Sequence, residues 1–470
     1  MKMDLKACTI VGLSELIEKR EISPVEVIDA FLARAHDLQE KTKAFITIMD
    51  EDARRAAGRA EGEILRGRYR GPLHGIPFVA KDLFFTQGVR TTCGSKILAD
   101  FVPTENAAVI DRLGAAGAVL VGKGNMHEFA YGTTNLNPHY GDVRNPWDPQ
   151  RVSGGSSGGS AAALAASCTL LALGTDTGGS VRIPSALCGT AGLKPTFGRV
   201  SKYGVYPLAW SLDHPGPMAR TVADLAVALN VLAGYDPRDH SSKDVAAGDY
   251  PPALTGEIRD VRVGVPDAYF FEQIDGQVKT AVDEALQALA TLGATVTPVH
   301  IPELEEASIA TLLILSSEAA SCLEKYHRTR PHDLGADIKA RLDLGAFHPA
   351  THYLKAQRIR RRMQEHFARV LSDVDVLATP GVSITAPKLD ESTVRLEGED
   401  VPVGVALTRC TRIYNLVGIP SVCVAVGFSK AGLPIGMQIA GRPFEEATVL
   451  RVADAYERHG GRPPVRWPEL

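Results

Sequence analysis

From about residue 72 onward, short apolar runs that end in glycine-rich turns recur along the chain: GIPFVAK, AVLVGK, CTLLALG, RVGVP, ATVTPV, VDVLATP and PSVCVAVGF. Between them lie stretches with helical spacing, at 105–116, 157–167, 221–233 and 277–292. Strands alternating with helices predict an α/β fold in which helices cover a central mixed sheet in α/β/α layers. Several of the runs are apolar without alternation, which fits strands covered on both faces. Residues 13–66 read as helical, with Ser23, Pro24 and Glu26 forming a helix start. Residues 305–370 read as mostly helical too. The Asp-, Pro- and Gly-rich stretch 234–260 reads as a long connection rather than a domain boundary. A chain of 470 residues with 45% hydrophobic and 23% charged residues can bury a sizeable core as one large domain.

A formal net charge of −4 gives no overall attraction to nucleic acid or to an acidic membrane surface. No run reaches the roughly 18 apolar residues expected of a membrane helix. Seven cysteines without a C-x-x-C pair suit reduced thiols, so a cytoplasmic location is expected. The basic run Arg358, Arg360, Arg361 and Arg362 reads as a solvated helix face.

Chemistry concentrates in residues 150–200, where QRVSGGSSGGSAAALAAS is followed by LALGTDTGGSVRIPSALCGTAGLKPTFGR. Each Gly-Ser cluster precedes a sequence able to start a helix. Such turns let substrate approach main-chain N–H groups at the positive end of a helix, where an oxyanion is stabilised. A serine nucleophile needs a base, and no histidine falls in this segment. Lysine serves instead if burial keeps it neutral. Lys81, delivered by the apolar run GIPFVAK, is the candidate.

Together these motifs resemble the amidase signature family, which includes stand-alone bacterial amidases and the A subunit of the tRNA-dependent amidotransferase. The resemblance covers most of residues 5–235 and returns at 405–456. GIPFVAKD is similar to the family's lysine segment and places the base at Lys81. GGSSGGSAAA resembles the relay segment and places its serine at Ser156, after an expected cis peptide at Gly155–Ser156. DTGGSVRIPSALCG resembles the nucleophile segment and places it at Ser180, 24 residues further on (180 − 156). The resemblance implies an oxyanion hole from the N–H groups of Thr177, Gly178, Gly179 and Ser180. Ser157 and Ser153 would support the relay, and Asp176 and Arg182 would orient the loop. Phe129, Tyr131, Ile183, Leu208 and Trp210 fall near the expected substrate cleft. By the same pattern the chain divides into an N-terminal helical segment (1–70), a signature core (71–235), a variable insertion shaping the cleft (236–404) and a return to the core (405–470).

The expected activity is hydrolysis of a carboxamide, aryl amide, carbamate or urea through an acyl-enzyme. It needs a small amide and water and no cofactor or metal, and it is compatible with a homodimer. The alternative is a glutaminase subunit that passes ammonia to a partner. Ile183 stands where the amidotransferase's A subunit typically carries glutamine, and 336–356 lacks that subunit's tyrosine-rich stretch, so the stand-alone hydrolase is favoured. Other matches are set aside. Gly154–Gly158 fits a G-x-S-x-G elbow with His214 as partner, but leaves DTGGS and the lysine strand unexplained. Gly117–Lys123 imitates a P-loop without its final Ser or Thr. Asp176-Thr177-Gly178 lacks the second carboxylate of an aspartic protease. His348 and His352 lack the glutamate of a zinc-binding helix.

Overall fold

The computed structural model describes residues 4–459 and 467–470. Eleven strands form one mixed sheet: β1 (Phe45–Ile48), β2 (Pro77–Lys81), β3 (Val119–Gly124), β4 (Leu171–Asp176), β5 (Ala191–Lys194), β6 (His214–Ala219), β7 (Arg262–Pro266), β8 (Thr295–Val299), β9 (Val376–Pro380), β10 (Ser421–Phe428) and β11 (Pro434–Gly441). Their spatial order is β1-β3-β2-β4-β6-β5-β10-β11-β9-β7-β8. β3, β2 and β4 run parallel, as do β9, β7 and β8, and an antiparallel block from β4 through β9 joins the two groups. The expected α/β fold is therefore present, and all seven apolar runs named above lie in the sheet.

Around it lie α1 (Ile10–Glu18), α2 (Pro24–Thr42), α3 (Asp50–Leu65), α4 (Ala108–Ala115), α5 (Gly158–Ala165), α6 (Arg182–Cys188), α7 (Val222–Leu232), α8 (Gly276–Thr291), α9 (Leu304–Thr329), α10 (Ala336–Ala346), α11 (Ala350–Asp373), α12 (Val403–Thr408), α13 (Arg412–Val417) and α14 (Glu446–His459). The start of α2 is capped as expected, with Ser23 and Glu26 bonding reciprocally to the first turn. Residues 13–66 are not helical throughout. Phe-Ile-Thr-Ile at 45–48, aromatic and β-branched, forms β1 and pairs with the edge of β3.

Helix α5 is buried along its whole length, because glycine, serine and alanine let backbone pack on backbone. A methyl on Gly159 would lie 2.3 Å from the carbonyl oxygen of Asn125 and 2.4 Å from that of Ala44. Helix α9 corrects the expectation that no segment is apolar enough for a membrane. By length and composition it qualifies, but half of its most apolar window is buried inside this fold. Ala307, Ala310, Ile314, Ala319 and Leu323 face the core.

The basic run on α11 is solvated only in part. Arg361 and Arg362 pair with Glu365 and Glu303, but Arg360 turns inward and donates to Ser211 Oγ at 3.0 Å and to its carbonyl at 2.8 Å.

Candidate active site

Strand β2 is buried at every position, so it carries Lys81 at its end into a site closed to water. The Nζ group lies 2.8 Å from Ser156 Oγ and 2.8 Å from Thr175 Oγ1 on the neighbouring strand β4. Loss of hydration pulls the Lys81 pKa down to about 7. The carboxylates of Asp213 and Asp176 act the other way and offset only part of that effect. An amine in this position is a base near neutral pH.

Ser156 and Ser157 occupy the turn before α5, and the Gly155–Ser156 peptide is cis. The Ser157 amide donates to the Ser180 carbonyl at 3.2 Å, which brings the second Gly-Ser turn against the first. Ser157 Oγ also packs on Thr175, at 3.3 Å from both its amide and its carbonyl. Ser153 is buried, and its hydroxyl donates to the adjacent Gly154 carbonyl, 3.1 Å away.

The turn from β4 into α6 is built on Asp176. Its carboxylate accepts from the amides of Gly179, Val181 and Arg182 at 2.9, 3.2 and 3.3 Å. It also takes a two-pronged salt bridge from the Arg182 guanidinium, at 3.0 and 2.9 Å. Arg182 and the Asn415 amide hold this carboxyl well below the usual carboxylate range, against the cost of burial. Gly179 has φ of +133°, and a methyl there would meet Thr411 Oγ1 at 2.3 Å, so only glycine fits. Of the four amides expected in an oxyanion hole, that of Gly179 is already given to Asp176. The amides of Thr177, Gly178 and Ser180 have no partner among the described residues. Three N–H groups of the turn that carries Ser180 are thus without a partner among the described residues, and Ser180 itself is 6% exposed.

The other expected residues divide. Phe129 and Tyr131 are buried, Phe129 against the rings of Tyr206 and Tyr326 and Tyr131 beneath the Arg341 guanidinium. Ile183 is fully buried and lies behind the Gly179 turn rather than in an open cleft. Leu208 is buried as well, whereas Trp210 is 47% exposed and its carbonyl accepts from Lys202. His214 does not serve the elbow reading. Its Nδ1 is 2.6 Å from the Leu212 carbonyl, and neither ring nitrogen bonds to Ser156. Lys123 of the P-loop look-alike is buried, bonding the Phe84 carbonyl and the hydroxyls of Thr86 and Thr91. His348 bonds to Ser316 Oγ at 2.9 Å.

Sequence reasoning missed several supporting groups. Thr175 is the second partner of Lys81. Asp213 anchors Thr177 Oγ1 at 2.7 Å and accepts from the amides of Leu208 and Ala209. Asn415 and Gln438 complete the Arg182 network at 2.7 and 2.8 Å, and Thr411 Oγ1 donates to the Gly178 carbonyl at 2.6 Å. Gln438 could have been noticed as the one amide side chain inside the otherwise apolar or small-residue strand PIGMQIAG.

The fold is that of enzymes acting on carbon–nitrogen bonds. The Amidase family model matches residues 26–450, and the chain belongs to that family, whose members act on carbon–nitrogen bonds. It is 43% identical over 479 residues to the A subunit of the glutamyl-tRNA(Gln) amidotransferase of Chloroflexus aurantiacus, with 97% of each chain covered. Among solved structures it superposes with a TM-score of 0.93, at 36% identity, on a protein from a complex described as revealing the evolutionary origins of an s-triazine catabolic enzyme; 96% of this chain and 98% of that one are covered. It also superposes on the 6-aminohexanoate cyclic dimer hydrolase in complex with its substrate, with a TM-score of 0.89 at 29% identity and 99% of each chain covered.

Proposed function

We propose that this chain cleaves a carboxamide C–N bond through an acyl-enzyme on Ser180, with Ser156 as proton relay and Lys81 as base. The observation that carries the reading is a buried amine, with a pKa near 7, that is 2.8 Å from Ser156. In its neutral form the amine takes the Ser156 proton while Ser156 takes that of Ser180. The Ser180 oxygen then bonds to the substrate carbonyl carbon, and the resulting oxyanion is stabilised by the amides of Thr177, Gly178 and Ser180. The proton returns through Ser156 to the amide nitrogen, the C–N bond breaks, and ammonia or an amine departs. Water, deprotonated along the same path, attacks the Ser180 ester and releases the carboxylic acid.

Two settings for this chemistry differ in the fate of the nitrogen. The full-length likeness to the A subunit of an amidotransferase weighs toward a glutaminase that works with partner proteins. This reverses the order in which the sequence motifs alone ranked the two. Ile183 and the 336–356 segment remain the features on the side of a stand-alone hydrolase. Ammonia release by the purified chain from glutamine, a simple aliphatic carboxamide and an anilide separates them. Turnover of glutamine alone supports the glutaminase reading, and turnover of the others without glutamine supports the hydrolase. If none is cleaved and a fluorophosphonate leaves Ser180 unlabelled, both readings fail.

A further inference from the structure

Two buried carboxylates grip the turn between β4 and α6, and they are compensated differently. Asp176 takes the amides of its downstream half, at Gly179, Val181 and Arg182, and is matched by the Arg182 guanidinium. Asp213 takes the upstream half. Its Oδ1 accepts from Thr177 Oγ1 at 2.7 Å and from the Ala209 amide at 3.1 Å, and its Oδ2 accepts from the amides of Leu208 and Ala209 at 3.0 and 3.1 Å. Among the described residues no cation pairs directly with Asp213, which is 6% exposed.

Both ends of this brace are fixed. The 208–211 segment is tied to α9 and α11 through Ser211, whose amide and hydroxyl donate to Glu318 at 3.0 and 2.6 Å and whose carbonyl accepts from Arg360 at 2.8 Å. At the other end, the bond to Asp213 is the one side-chain hydrogen bond of Thr177 among the described residues. The Thr177 amide, free of any such partner, is one of the groups assigned above to the oxyanion.

A neutral asparagine could hold the same hydroxyl at less cost, because a buried charge without a paired cation is expensive. The charge therefore calls for a role of its own. The titratable groups that face Asp213 are Lys81 at the end of β2, Lys202 between β5 and β6, and Cys322 on α9. Lys81 is faced by Asp176 and Cys93 as well. Of the charges acting on Lys81, that of Asp213 is the largest, and it favours the ammonium form. Burial pushes the Asp213 carboxyl above its ordinary range, while Lys202, the Thr177 hydroxyl and the two amides pull it back. Donors alone face its two oxygens, and they satisfy the ionised form.

We propose that Asp213 is a positioning residue for the cleavage reaction: its carboxylate fixes Thr177 so that the Thr177 amide meets the oxyanion, and its charge favours uptake of the relayed proton by Lys81. This inference rests on the acyl-enzyme reading, in which Ser180 passes its proton through Ser156 to Lys81. Its two parts leave different signatures. Displacing Thr177 slows attack at every pH. Removing the charge moves the Lys81 ionisation to lower pH, because the ammonium loses its nearest support.

The test is the rate at which an alkyl fluorophosphonate labels Ser180, followed against pH in the wild type, Thr177→Val, Thr177→Ser and Asp213→Asn. The wild-type rate should rise through one ionisation near pH 7. Thr177→Val, similar in shape but without the hydroxyl, should lower the alkaline plateau by roughly ten- to a hundredfold and leave the midpoint in place; this is less than the loss of a whole oxyanion donor, since the amide is displaced and not deleted. Thr177→Ser should recover most of the rate. Asp213→Asn should lower the plateau and also move the midpoint down by about one pH unit. A wild-type plateau in Thr177→Val would overturn the proposal. So would an Asp213→Asn midpoint that stays in place or rises toward that of an ordinary lysine, since Asp213 would then only pack the site against water. Should Asp213→Asn fail to fold, the two Thr177 variants decide. A wild type that labels at Ser180 with the expected pH limb, beside variants that behave identically, sinks this inference alone; a wild type that is not labelled there sinks the acyl-enzyme reading and this inference with it.

Discussion

An ordinary lysine, with a pKa of about 10.4, is uncharged in only a few molecules per ten thousand at pH 7. Lys81, at about 7, is neutral in about half of them, and this difference makes an amine serviceable as a base. Ser156 touches the amine directly, whereas the Ser180 backbone is tied to Ser157 beside it. Ser156→Ala should therefore keep the nucleophile but break its proton path, lowering kcat/KM by about 10²–10⁴-fold. Steady-state kinetics on any cleaved amide checks this, with mass spectrometry to locate a fluorophosphonate adduct. The adduct should map to Ser180; an adduct on Ser156, or near-normal turnover without its hydroxyl, would reverse the two assignments.

The turn from β4 to α6 is held by a network drawn from three separated parts of the chain: Asp176 and Arg182, Asn415 on α13, and Gln438 on β11. Removing the cation should be costly, because Asp176 would remain buried and charged without its main partner. Arg182→Met is expected to destabilise the protein by about 3–5 kcal/mol, read as a lower urea midpoint. A loss under about 1 kcal/mol would mean that the backbone amides and Asn415 suffice. This network also marks the limit of what the sequence discloses. Lys81, Ser156 and Ser180 stand in local motifs that resemble signature segments of the family, so all three can be proposed from the sequence alone. Asn415 and Gln438 are ordinary amides more than 230 residues from Arg182, and only the order of strands in the sheet brings them to it. Strand β1 was hidden for a different reason: four residues between two helices are too few for an alternating pattern to register.

At the scale of the whole molecule, the sheet joins the segment holding the two Gly-Ser turns to strands from the C-terminal half, through the pairing of β5 with β10. The start of α10 and the loop before it are fastened to the segment 95–128. His127 Nε2 lies 2.9 Å from Asp337, and Glu128 accepts from Ser95 and from the Gly335 amide. Closure from these directions leaves Lys81 with no exposed surface, and this burial, rather than any single neighbouring charge, lowers its pKa. A fold that maintains a neutral lysine to drive the serine relay is tested most directly by kcat/KM against pH for the wild type, Lys81→Ala and Lys81→Arg on one amide substrate. Because the deprotonated amine is the active form, the wild-type profile should rise through a single ionisation near pH 7 and level off above it. Lys81→Ala should lose that limb and most of the rate, and Lys81→Arg should be no better, since a guanidinium stays protonated. Wild-type activity in Lys81→Arg, or a wild-type profile flat from pH 5.5 to 8.5 (roughly 1.5 units either side of the expected midpoint), would contradict it.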